Sequence, residues 1–317
     1  MHRESGLDYF VLDVFTRNRL QGNPLAVFIN PGHLTSETML SIAGEMNLSE
    51  TTFVERRSLD EELSEGVRVR IFTTEEELPF AGHPTLGTAS LLRAIAPECL
   101  QDNTLKLALN VGTVPVRFSP VAEGGAGWPV FGEMTQKDPA FGEELDPASV
   151  AALIGLEVVD LAPESPVQIV STGTAFAIVR LRSFKSLAQL KVRQEEASAF
   201  LRARGARWFY ILGPTGNQES GRPLWRARMQ FHGGEDPATG SAAGCAISYL
   251  VRHRAIGSGE KILVRQGVEI GRPSDLHLSA RLAPPKNADS DAPKPDVTEV
   301  RVAGSTIIVA KGRLFLP

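Results

Sequence analysis

"RVRIFTTEEELPFAGHPTLGTASLL" (68–92) lies without a gap on "RARMQFHGGEDPATGSAAGCAISYL" (226–250) when the chain is shifted by 158 residues. The shift superposes Arg68 on Arg226, Arg70 on Arg228, Glu77 on Glu235, Pro79 on Pro237, Gly82 on Gly240, Ser90 on Ser248 and Leu92 on Leu250. Each copy reads as strand, acidic turn, glycine and helix, and the offset is close to half of the 317 residues. A weaker echo pairs "QGNPLAVF" (21–28) with "TGTAFAIV" (172–179). A chain of this length exceeds what one hydrophobic core usually organises, so the spacing predicts two similar domains from a duplicated element.

Around the repeats, short β-like runs such as "YFVLDVFT", "PLAVFIN", "LKLALNVGTVPVRFS", "EKILVRQGVEIG" and "EVRVAGSTIIVAKGRLFLP" are punctuated by turn residues. Helix-like stretches are fewer: "SETMLSIAGEMNL" with Ser36 as its cap, the two small-residue helices of the repeat, and "PASVAALIGL". Lacking regular strand and helix alternation, the pattern is α+β and rich in antiparallel strands. "SPVAEGGAGWPVFGEMTQKDP" (119–139) reads as an interdomain linker, placing the domains at 1–125 and 126–317. "APPKNADSDAPKPDV" (283–297) reads as a solvated loop between strands.

Thirty-three basic and thirty-seven acidic residues give a formal charge of −4 without a Lys/Arg run, which argues against nucleic acid and anionic membranes as partners. "MHRESGLDYFVLDVF" lacks the basic flank and apolar core of a signal peptide, and no eighteen apolar residues follow one another, so a cytoplasmic protein is expected. Cys99 and Cys245 are the only cysteines and read as reduced, buried thiols. His2, His33, His232, His253 and His277 show no metal-ligand spacing, so no metal site is expected.

The chemistry of the repeat follows from helix ends. The first four N–H groups of a helix lack intrahelical partners, and the macrodipole adds roughly half a positive charge there. Pro84 suits a first helical position, which makes His83 the cap of one helix and Ser241 its counterpart in the other. Gly82 and Gly240, with Ala81, Ala238 and Thr239, leave room for a ligand to approach the backbone. Two facing anion-binding ends across a cleft are one reading; ordinary caps on two tightly packed helices are the other. The ligand expected is a small organic anion, because neither the lysine of a phosphate-binding loop nor a G-x-G-x-x-G run is present.

"DVFT", "GNPLAVF", "MNLSETTFV", "RVRIFTTEEELPFAGHPTLGTA", "GEDPATGSAAG" and "GVEIGRPS", in this order and across roughly residues 10 to 275, resemble the phenazine-biosynthesis PhzF-like isomerase family. The resemblance implies a diaminopimelate epimerase-like fold: two similar domains, each a β-barrel-like sheet around a central helix, with the active site in the interdomain cleft. In such folds the last strand, about 305–317, can return to the first domain. It also implies a cofactor-free isomerase that moves a proton between carbons of a small carboxylate substrate, and a homodimer. Carried over by motif, the catalytic acid/base is Glu50 of "NLSETTF", and His83, Asp236 and Ser241 line the same site. Burial of Glu50 among Leu48 and Phe53 would raise its proton affinity to suit such a base.

The resemblance gives His83 a proton-handling or capping role and Asp236 either a bond to a substrate amine or an influence on His83. Asp236 also suits the turn before Pro237. Ser241 would hold the substrate carboxylate, with Gly82, Gly240 and Thr239 as further substrate contacts, whereas Glu77 and Glu235 read as structural acids near helix starts. Diaminopimelate epimerases and proline racemases place a cysteine at each helix-leading turn; "LPFAGHP" and "DPATGSA" carry none, which disfavours two-thiol racemisation. Two alternatives stay open: an epimerase or racemase of an amino-acid-like substrate working through Glu50 and a second base, and a non-catalytic small-anion-binding protein.

Overall fold

A computed structural model of the chain describes residues 6–32, 34–119, 127–231, 234–283 and 296–316. Two compact units divide it, Met1–Met134 with Ala303–Pro317 and Thr135–Val302.

The first unit contains β1 (Gly6–Val14), β2 (Asn23–Ile29), β3 (Thr51–Glu55), β4 (Val67–Phe72), β5 (Glu77–Leu78), β6 (Thr104–Leu109), β7 (Gly112–Phe118) and β8 (Val130–Thr135), with α1 (Ser36–Met46), α2 (Leu59–Glu65) and α3 (Gly82–Ile95). Helix α3 is buried on every face from Gly82 to Leu92 and packs against β1, β2, β3, β6 and β7. A helix apolar or small all round has to lie inside. Its polar side chains are satisfied there: Thr85 Oγ1 donates to the Ala81 carbonyl at 2.7 Å, and the Thr88 and Thr52 hydroxyls meet at 2.9 Å. At Gly87 a Cβ would stand 2.6 Å from Leu25 Cδ2 and 2.7 Å from Val14 Cγ2, so glycine lets the helix lie directly on β1 and β2. Against the outer face of the strands, α1 buries Met39, Ile42 and Ala43 with Phe28, Phe53 and Phe72. Its cap is Thr35, whose hydroxyl accepts the Thr38 N–H at 3.2 Å, and not Ser36; Ser36 instead receives the Arg70 guanidinium at 2.7 Å.

The second unit contains β9 (Ala140–Leu145), β10 (Val167–Ser171), β11 (Ala175–Arg180), β12 (Trp208–Glu219), β13 (Arg222–Arg228), β14 (Gln230–Phe231), β15 (Gly234–Glu235), β16 (Ile262–Gln266) and β17 (Ser274–Leu282), with α4 (Pro147–Ile154), α5 (Gln194–Arg202) and α6 (Gly240–Arg252). Helix α6 is the buried one, packed on β10, β11 and β17. A separate core cluster joins Val150, Ile154, Ala197 and Leu201 of α4 and α5 to Ile169, Val179 and Ile211 of the strands. The last strand, β18 (Val297–Phe315), begins in this unit and ends in the first. The order β1-β2-β3-β4-β6-β7-β8-β18, with β18 antiparallel to β1, closes eight strands into a barrel and removes their free edges.

The duplication is visible in pairing sense. The pairs β1/β2, β2/β3, β3/β4, β4/β6 and β6/β7 run antiparallel, parallel, antiparallel, parallel, antiparallel. The pairs β10/β11, β11/β12, β12/β13, β13/β16 and β16/β17 repeat that series. The identities aligned by the repeat have matching duties: Arg70 binds Glu77 at 2.6 Å and Arg228 binds Glu235 at 2.5 Å. Ser90 and Ser248 each donate to the carbonyl four residues back, at 2.8 and 2.7 Å. Glu77 and Glu235 are therefore partners of strand arginines, which the helix-start reading had not foreseen. The architecture is α+β, with two similar domains of diaminopimelate epimerase-like fold. Residues 130–135 of the expected linker form β8, paired with β7, because alternate side chains from Val130 to Met134 are buried; residues 120–126, like 284–295 of the expected solvated loop, lie outside the described residues.

Candidate active site

The expected site residues fall into two groups, one in each unit. In the first, Asn47 closes α1 in the left-handed conformation with φ 50°, which asparagine tolerates, and its N–H bonds the Ala43 carbonyl. The turn delivers Glu50 to the start of β3. Strand β3 lies parallel to β2 with Thr51 opposite Ala26, so Glu50 comes up beside the start of β2, which is Asn23. Inside the strands, α3 begins at Gly82 with Ala81 as cap, and His83 is its second residue. The helix thus starts earlier than a His83 cap would require. Pro84 remains among the first four residues, where its missing N–H costs nothing.

Glu50 Oε2 stands 3.5 Å from His83 Nε2. The other ring nitrogen, Nδ1, lies 3.3 Å from Asn23 Nδ2. His83 is 4% exposed, and burial pushes its pKa down to about 3, with a hydrogen bond to the Pro24 carbonyl working the other way. The imidazole is therefore neutral at ordinary pH, a donor at one nitrogen and an acceptor at the other. A carbonyl only accepts, and Nε2 has no hydrogen-bond partner among the described residues. Nδ1 faces the Asn23 carboxamide and Nε2 faces Glu50. Leu48 and Phe53, expected to bury Glu50, pack in the cluster under α1. Sequence reasoning gave Asn23 and Pro24 no role, although "GNPLAVF" is one of the motifs noted there.

In the second unit, α6 starts at Gly240 with Thr239 as cap, so Ser241 is the second helical residue, as His83 is in α3. Neither His83 nor Ser241 is a cap; Ala81 and Thr239 are, without a side-chain capping bond. The Gly240 carbonyl is held by Gln136 Nε2 at 2.8 Å, and Gln136 Oε1 takes the Thr172 hydroxyl at 2.7 Å. Gln136 occupies the space a side chain at Gly244 would need, its Oε1 lying 1.9 Å from an added Cβ. Asp236, 8% exposed, donates its N–H to the Met229 carbonyl at 2.9 Å and accepts the Thr239 hydroxyl on Oδ2 at 2.6 Å. Ser241 is half-buried at the helix start. Asp236, Thr239, Gly240 and Ser241 thus form one short segment, as Gly82 and His83 do in the first unit with Glu50 beside them.

Among the described residues no group of three or more His, Cys, Asp or Glu is placed to hold a metal ion, and no helix is long and apolar enough to cross a membrane.

A buried central helix among strands in each of two units, with an acid and a small-residue helix start in each and the first unit's eight strands closed into a barrel, defines the epimerase-like class of isomerase folds. Residues 12–312 match the family described as phenazine biosynthesis-like protein (PhzC-PhzF), and the chain belongs to that family of isomerases. The trans-2,3-dihydro-3-hydroxyanthranilate isomerase of Pseudomonas aeruginosa is 37% identical over 319 residues, covering 100% of both chains. A PhzF-family phenazine biosynthesis protein of Bacillus anthracis superposes with a TM-score of 0.81 at 24% identity, over 98% of this chain and 100% of that one. A hydroxyproline epimerase of Agrobacterium vitis shares the fold at a TM-score of 0.60 and 10% identity, over 100% of this chain and 94% of that one.

Proposed function

We propose that this isomerase moves a proton between two carbons of a small cyclic amino-carboxylate, with Glu50 as the group that takes the proton and returns it. The observation that carries the reading is the pairing of Glu50 with a buried, neutral His83 at 3.5 Å. An imidazolium there would clamp the carboxylate as an ion pair and blunt it as a base. A neutral ring keeps a lone pair on one nitrogen, and in the tautomer with that pair on Nε2 it accepts the hydrogen of Glu50 once Glu50 is a carboxylic acid. The proton taken from one carbon is thereby held at the site until the other carbon receives it. One C–H bond breaks, another forms and the double bond between them shifts, so no oxidant or reductant is needed.

Ser241 and the N–H groups at the start of α6, which lack partners within the helix, suit a substrate carboxylate, since helix starts favour anions. Asp236 suits the amine as a hydrogen-bond acceptor, and the Gly82 and Gly240 backbones suit close approach of a flat substrate. A general acid/base of this kind contributes about 10²- to 10⁴-fold to rate.

The test uses trans-2,3-dihydro-3-hydroxyanthranilate, the compound in the name of the Pseudomonas aeruginosa relative. Incubation in deuterated water, followed by NMR and mass spectrometry, reads deuterium entering the product carbon. Glu50→Gln is expected to lose at least about 10²-fold in both product formation and exchange. Equal exchange by both proteins refutes the role of Glu50. Tight binding without any exchange would favour a binding protein.

A further inference from the structure

The segment "RQGVEIGRPS" (265–274) is distinctive in sequence, yet the proposed chemistry leaves it without a duty. Its Gln266 is fully buried, and so is Tyr210 beside it. Every polar site of the Gln266 carboxamide is used. Oε1 accepts the Tyr210 hydroxyl at 3.1 Å and the Thr239 N–H at 3.2 Å; Nε2 donates to the Asp236 carbonyl at 2.8 Å and to Thr239 Oγ1 at 3.0 Å. The orientation of the amide is not open to choice. A backbone N–H only donates and a backbone carbonyl only accepts, so oxygen must face Thr239 N and nitrogen must face Asp236 O.

That orientation settles the next bond. With a Thr239 lone pair occupied by Gln266 Nε2–H, the Thr239 hydroxyl hydrogen points to Asp236 Oδ2, 2.6 Å away. Asp236 Oδ2 is therefore an acceptor, which is what an ionised carboxylate supplies. The backbone makes this contact possible at Gly267, with φ +76°, where a Cβ would lie 2.4 Å from the Arg272 carbonyl and 2.7 Å from the Pro237 carbonyl. Only glycine brings the segment so close to the Asp236–Pro237 turn.

We infer that Gln266 is a positioning residue which, through Thr239, fixes the direction of the Asp236 carboxylate and holds its Oδ2 as an acceptor, with Tyr210 locking the amide from behind. The inference rests on the proposed substrate-binding role of Asp236. Thr239, expected from sequence as a substrate contact, is on this reading the link between the two.

Product formation and deuterium incorporation are measured for the parent protein, Gln266→Leu, Asp236→Asn and the double variant. Acting through Asp236, Gln266→Leu is expected to lower kcat/KM by about 10- to 100-fold in the parent, and by less than about 3-fold in the Asp236→Asn background. Losses that multiply overturn the inference and leave the role of Asp236 standing. Full activity of Asp236→Asn overturns that role and the inference with it. The Thr239 pair gives an independent reading if Gln266→Leu fails to fold. Thr239→Ser, which keeps the hydroxyl, is expected to outperform the similarly shaped Thr239→Val by about 10-fold. Equal rates for the two overturn the inference.

Discussion

Acidification tests the buried imidazole directly. His83 titrates at an ordinary 6.5 when unfolded and at about 3 in the folded protein, because burial opposes its charged form. Between these values the unfolded chain binds a proton that the folded one refuses, so stability rises with pH across that window. The contribution is fully present above about pH 6.5 and is lost as pH falls toward 3. At pH 5 the loss relative to pH 8 is about 2 kcal/mol, and at pH 4 about 3 kcal/mol. An ionised Glu50 at 3.5 Å favours the imidazolium, so these figures are upper bounds, and Glu50→Gln should move the loss toward them. The assay is urea unfolding followed by circular dichroism between pH 4 and 8, for the parent and for His83→Gln, which cannot titrate. Other groups are common to both proteins and cancel in the difference. The parent should lose more than the variant between pH 8 and 5, by up to about 2 kcal/mol. Parallel pH curves would refute a buried, neutral His83 and the lone-pair argument built on it.

Adding one methyl group at Gly244 forces Gln136 away from the start of α6, since its Oε1 lies 1.9 Å from the added Cβ; Gly244→Ala should cost about 1–3 kcal/mol, read as a lower melting temperature. Of the two repeated ion pairs, Arg228–Glu235 is the more buried, with side chains 10% and 6% exposed against 15% and 24% for Arg70–Glu77. Arg228→Met should therefore destabilise by about 3 kcal/mol and Arg70→Met by less, in chemical denaturation. Burial pushes the Cys99 thiol up to about 12 and the Cys245 thiol to about 11. Both should resist a thiol reagent at pH 8 until urea unfolds the chain, and Cys245→Ala should keep isomerase activity within about 3-fold, an outcome a two-thiol mechanism would not allow.

The duplicated fold was legible because the repeat preserves residues with structural work to do: the strand arginine, its acid, the helix-start glycine and the back-bonding serine. Local reading of helix starts was less exact, and for a physical reason. Proline is tolerated anywhere in the first turn, so Pro84 did not fix the register, and the caps moved to Ala81 and Thr239. Ser36 next to Thr35 posed the same ambiguity between two hydroxyl residues. Of the site, Glu50 and His83 were named from motifs and lie together in the first unit. The supporting polar residues were not visible. Gln136, Gln266 and Tyr210 act on partners that lie 104, 27 and 56 residues away, and no local pattern announces a contact that only chain topology creates.

Strand β18 leaves the two halves unequal as the chain is synthesised. Gly6 to Val14 of the first strand take their partners from Thr306 to Phe315, so the wall beside β1 is made last. Until then the ribosome-bound amino-terminal half is a barrel with a stave missing, offering the unpaired edge of β1 to any extended neighbour. The intervening 168 residues (135–302) form a compact unit of their own and can be in place before that stave arrives. The unit that emerges first thus finishes after the other, and a frameshift ahead of β18 would undo the barrel that β1 begins.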